Sequence, residues 1–140
     1  MRKKLLCFSF SIILIIGFFS GCQESELEAL SFEGLTLVSD VVELVNGSLN
    51  YYYNDYNEVW KVEVKFLFHN IAKRDIEIEV KVELYDEHDN FITILGPKYI
   101  NLPNDYTEQG FAPGINIMSY ENNQNVHLVD YAIIIAEETQ

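Results

Sequence analysis

The stretch that decides the fold is Trp60-Lys61-Val62-Glu63-Val64-Lys65-Phe66-Leu67-Phe68-His69. Apolar and polar residues alternate along it with a period of two, the signature of a strand with one buried and one wet face. The reading places Trp60, Val62, Val64, Phe66 and Phe68 inward and Lys61, Glu63, Lys65 and His69 outward, with Leu67 breaking the alternation. A second run, Asp75-Ile76-Glu77-Ile78-Glu79-Val80-Lys81-Val82-Glu83-Leu84-Tyr85, repeats the pattern without a break. Asn70–Arg74 between them is short and polar enough for a hairpin-like return.

Working outward, Asp86-Glu87-His88-Asp89-Asn90 reads as a tight turn into a third strand, Phe91–Leu95, which Gly96-Pro97 stops. Lys98–Leu102 follows as a short strand. Leu35–Val45 leads the domain and ends at the turn pair Asn46-Gly47. Segments near Glu108–Ala112 and Ile115–Tyr120 form an edge around Pro113-Gly114. In the closing segment, Asn125–Glu137, the run Tyr131-Ala132-Ile133-Ile134-Ile135 looks buried on both faces. No helical stripe interrupts the series. The expected fold is therefore all-β: an antiparallel β-sandwich of about seven strands over residues 35–140.

Ahead of that body the chemistry changes. Met1-Arg2-Lys3-Lys4 is a positive end, Leu5–Phe19 is uncharged and apolar, and small residues lead to Cys22, which together make a signal-peptide pattern over residues 1–21. A membrane-crossing helix needs ~20 apolar residues for a ~30 Å core, and this run is short for that. Residues 22–34, rich in Glu, read as a polar tether. The 140 residues carry 22 Asp plus Glu against 9 Lys plus Arg, a formal charge of −13, and three of the basic residues lie in the leader. So acidic a body repels a phosphate backbone, which argues against nucleic acid as a partner.

Phe19-Ser20-Gly21-Cys22 resembles the lipobox of prokaryotic lipoproteins, with Phe19 in place of the usual Leu. The resemblance implies that Cys22 takes a diacylglyceryl thioether and becomes the new N-terminus after cleavage. The partner it implies is the cell membrane, reached through two acyl chains that hold stably at ~0.8 kcal/mol per buried CH₂. The domain then stands on the extracytoplasmic side.

A second resemblance lies in Val82-Glu83-Leu84-Tyr85-Asp86, the polar turn after it and Phe91-Ile92, which are similar to the FxLYD domain of prokaryotic surface lipoproteins. Asn70, Leu102-Pro103 and Gly110-Phe111 fit the rest of that pattern, so the likeness covers about residues 60–137; Val82 replaces the naming Phe. The family implies an immunoglobulin-like sandwich without catalytic residues. On physical grounds alone, Leu84 buries itself, Tyr85 covers a neighbouring strand from the other face, and Asp86 accepts backbone hydrogen bonds that fix the turn.

Few residues suggest chemistry. The 86–90 turn has oxygen ligands but not the spacing of a calcium loop, and His69, His88 and His127 lack any ligand spacing, so neither a metal nor a cofactor is expected. No Gly-x-Ser-x-Gly elbow is present, and the one cysteine outside the leader is the one the lipobox claims, so nucleophilic catalysis lacks its parts. Asn50-Tyr51-Tyr52-Tyr53-Asn54-Asp55-Tyr56-Asn57 stands out as a candidate binding surface. Tyrosine gives contact area at low entropy cost, with an envelope protein or a glycan as the partner. The structural alternative is that alternate tyrosines merely cover the sheet.

Overall fold

The computed structural model describes residues 32–108 and 116–140. Seven strands follow in order: β1 (Leu35–Val38), β2 (Val42–Tyr53), β3 (Val59–Asn70), β4 (Ile76–Tyr85), β5 (Phe91–Leu102), β6 (Ile117–Glu121) and β7 (Tyr131–Glu138). They form a four-stranded sheet, β1-β7-β4-β5, and a three-stranded sheet, β2-β3-β6. The chain is an all-β sandwich.

The two deciding stretches become the centres of the two sheets. Val62, Val64, Phe66 and Phe68 of β3 are fully buried, as are Ile78, Val80, Val82 and Leu84 of β4. All of them belong to one apolar cluster, in which the Phe66 and Phe68 rings lie 5.0 Å apart. Complete burial of such side chains contributes about 1.5–3 kcal/mol each relative to exposure, so these two strands form the centre of the contact between the layers. Phe32 packs against this core from just ahead of β1.

Asn70 closes one end. Its side chain is buried, and its Nδ2 donates to the carbonyls of Arg74 (2.8 Å), Leu102 (3.0 Å) and Pro103 (2.8 Å). Its Oδ1 accepts from the Ala72 amide at 2.9 Å. One amide thus ties the end of β3 to the end of β5, on the opposite sheet.

Several sequence expectations shift. Asn46-Gly47 is not a turn: β2 runs through it, and a bulge between Leu44 and Asn46 absorbs the irregularity. Gly47 is there for close approach, since a Cβ on it would lie 2.9 Å from Leu35 Cδ1. The turn comes earlier, where Ser39 Oγ accepts from the amides of Val41 and Val42. Gly96-Pro97 does not stop the third strand either. β5 continues to Leu102 across a register shift opposite Val80–Val82, with Gly96 at φ +103. Trp60 is not inward: it falls in a second bulge, where Tyr53 pairs with Val59 and Tyr52 with Lys61. Val59 takes the place against the core, and Trp60 is exposed.

The run 131–135 is not buried on both faces. Ala132 and Ile134 point inward and are fully buried, whereas Tyr131, Ile133 and Ile135 lie half-buried on the outer face. One pairing also departs from antiparallel order, because β1 runs parallel to β7. A parallel pair needs a long crossover, and here almost the whole domain serves as one. Of the expected edge segments, Ile117–Glu121 forms β6, and 109–115 fall outside the described residues. Beyond β6, other groups take over the edge of β3. Phe66 N donates to Asn116 O (3.1 Å), Phe68 N to the buried Glu108 carboxylate (2.6 Å), and Asn70 N to Tyr106 O (3.0 Å).

Candidate binding surface

The outer face of the four-stranded sheet is assembled by register. Tyr131 of β7 and Phe91 of β5 both stand opposite Tyr85 of β4; Ile133 and Ile94 stand opposite Glu83; Ile135 opposite Lys81; Glu137 and Tyr99 opposite Glu79. Val38 of β1 continues the row beside Ile135. An apolar column on β7 and an aromatic-aliphatic column on β5 therefore flank a charged column on β4. Val38, Phe91, Ile94 and Tyr99 are strongly exposed, each between 45% and 57%. Four large apolar side chains on one sheet face exceed the scattered single exposures normal for a monomer.

One end of this face is an aromatic ledge. Tyr85 and Tyr131 are stacked with centroids 5.1 Å apart and planes within 6°, and Phe91 meets Tyr85 edge-on at 5.8 Å. Their hydroxyls are anchored: Tyr85 Oη donates to Glu83 (2.7 Å) and Tyr131 Oη to Asp89 (2.9 Å). Burial, followed by the bond to Asp89, pushes the Tyr131 phenol up to about 12. The bond to Glu83, ahead of burial, raises Tyr85. Both rings are thus held as neutral donors in fixed orientations.

The residues of the Leu-Tyr-Asp element lie where physical reasoning puts them. Val82 and Leu84 are fully buried, and Tyr85 covers β7 by stacking. Asp86 Oδ1 accepts from the amides of His88 and Asn90, each at 2.9 Å. Hydrogen bonds from the Asn90 side chain, then its amide, hold the Asp86 carboxyl below the usual range.

The four tyrosines of the 50–57 segment do not form one platform. Tyr51 and Tyr53 alternate with Tyr52 along β2, and Tyr56 lies in the β2–β3 turn, 85% exposed. Tyr52 lies on the outer face of the other sheet, donating to Glu63 (2.6 Å) with the Lys61 ammonium 5.2 Å from its ring centre. Tyr51 reaches round to donate to the Asp130 carbonyl at 3.1 Å. Cys22 lies outside the described residues.

The three histidines stay apart. His69 sits between Glu43 and Asp105, at 3.1 and 2.8 Å; His88 is in the β4–β5 turn; His127 is exposed. Among the described residues no three His, Cys, Asp or Glu side chains converge to hold a metal.

No family model, no curated protein and no solved structure matches the chain. The residues that make the surface, Phe91, Ile94, Tyr131, Ile133 and Ile135, escape a reading along the sequence because β5 and β7 meet only through β4. The one available signal was the odd-numbered apolar residues of β7, which a one-faced strand does not need.

Proposed function

We propose that the protein is a membrane-anchored extracytoplasmic lipoprotein whose β-sandwich is an interaction domain, not a catalyst. Cys22 carries the lipid, the acidic stretch that follows it within residues 22–34 is the tether, and the body is an immunoglobulin-like sandwich akin to the FxLYD domain. The observation that carries the interaction role is the exposed outer face of the four-stranded sheet, with Phe91, Ile94, Tyr99 and Val38 in the open. Interfaces concentrate rigid aromatic side chains at an apolar centre with a polar rim. Here the apolar columns of β5 and β7 stand on either side of a charged column on β4, Glu79, Lys81 and Glu83, so the face offers two apolar strips with a polar seam between them. A neighbouring envelope protein is the partner this surface suits.

Two measurements test the two halves of the reading. Mass spectrometry of the native product is expected to find Cys22 acylated at the N-terminus, and a free thiol in an unprocessed chain overturns the anchor. Membrane cross-linking is expected to trap a discrete complex that Ile94→Lys abolishes while the melting curve is preserved. An unchanged complex removes the surface from the proposal.

A further inference from the structure

Beside the aromatic ledge, the start of β1 and the middle of β2 leave a groove of about 580 Å³, lined by Glu33, Gly34, Gly47, Ser48, Leu49, Tyr51, Asp130 and Tyr131. That volume falls within the range of small-ligand sites. Two tyrosines line it, two carboxylates stand at its rim, and Gly34 brings no side chain into the space beside Leu49. We propose that this groove is a binding site for an organic cation, an alkylammonium or trimethylammonium group, seated against Tyr51 and Tyr131 with Glu33 and Asp130 beside it.

Each part is held in place by the fold. Tyr131 is stacked on Tyr85 on its β4 side. On its β1 side the neighbouring position is Gly34, whose carbonyl accepts the Ala132 amide at 2.8 Å and which brings no side chain to cover the ring. Asp130 is fixed by its amide, which donates to Tyr85 O at 2.8 Å, and by its carbonyl, which accepts the Tyr51 hydroxyl. Burial, then the negative surroundings of Asp130, Tyr53 and Glu33, raises the Tyr51 phenol, so that ring also stays neutral. Aromatic walls attract a cation through the negative potential of their faces.

Charge selects among ligand classes. Among the described residues, no Lys, Arg or His pairs with Glu33 or Asp130. An anion would be repelled by both carboxylates and by a chain of net charge −13. A purely apolar group would strip water from the carboxylates without replacing it. A positive group on a short apolar body meets both the rings and the acids. It arrives either as a free amine or as a lysine side chain, and the chemistry is the same.

The test is a ¹⁹F NMR titration of the full chain in nonionic micelles, with tyrosine replaced by 3-fluorotyrosine and the signals assigned through Tyr51→Phe and Tyr131→Phe. The probes are choline and N-acetyl-lysine amide, with 3,3-dimethylbutan-1-ol as the neutral isostere of choline. Either cation is expected to shift the Tyr51 and Tyr131 signals with millimolar half-saturation, and the tighter of the two identifies the source. The Glu33→Gln/Asp130→Asn double variant, checked for an unchanged melting curve, is expected to weaken binding ~5-fold, since exposed ion pairs are individually weak. Equal shifts from the neutral alcohol, undiminished binding by the double variant, or no shift at ~100 mM cation, far beyond what weak cation–π contacts require, overturns the site.

Discussion

The two outer faces of the sandwich start from the same alternating strands and end differently. On the three-stranded sheet, β3 presents Lys61, Glu63 and Lys65, and they satisfy one another. Glu63 takes Lys61 at 2.5 Å and Lys65 at 3.6 Å, and Tyr52 completes its shell. On the four-stranded sheet, β7 and β5 present Ile133, Ile135, Ile94, Phe91 and a pair of stacked tyrosines. Inward residues of both sheets obey one rule, burial. Outward residues separate a face that is complete in water from one that is not.

Both faces depend on the shared core, so the largest expected effect strikes both together. Phe66→Ala empties a fully buried site and is expected to cost about 3–5 kcal/mol in denaturant titration. A loss below about 1 kcal/mol would mean the layers are not packed through β3. Asn70→Ala is next. It removes an amide that joins the sheets through three carbonyls, and it is expected to cost about 2–4 kcal/mol, because buried acceptors left unpaired are expensive.

The smallest effects separate the faces by pH. Hydrogen bonds from Lys61 and then Tyr52 hold Glu63 below its ordinary value of 4.5. Its contribution is therefore present above 4.5 and lost as pH falls beneath it, and Glu63→Gln is expected to flatten that acid limb of the melting temperature. Tyr131 is displaced the other way, from 10.0 to about 12, so its contribution is present below 10 and lost as pH climbs toward 12. Tyr131→Phe is expected to flatten the alkaline limb, and absorbance at alkaline pH is expected to lose a late-ionising phenol in that variant. Identical limbs in both variants would erase the distinction between the faces.

The layering was legible because β3 and β4 alternate so regularly that only one face of each can be buried. Asp86 was legible too, since a carboxylate two residues before an amide makes its turn locally. What escaped depends on single-residue slips. The bulge at Trp60 exchanges it with Val59, the one near Val45 carries β2 straight through Asn46-Gly47, and the one at Gly96 joins two predicted strands into one. A bulge reverses which side a residue faces without altering composition. The ledge escaped for another reason: Tyr85 and Tyr131 are brought together by strand pairing, which no local pattern encodes.

The parallel seam between β1 and β7 has a consequence for biogenesis. The first strand of the sandwich finds its sheet neighbour only in β7, its last, and β4 also waits for β7 on one side. Until β7 has emerged, β1 and one edge of β4 have no strand to pair with, and the nascent polypeptide stays open to chaperones and proteases. Emergence of β7 is thus the latch of the structure, and a premature stop before Tyr131 would release an unsealed sheet instead of a smaller stable domain.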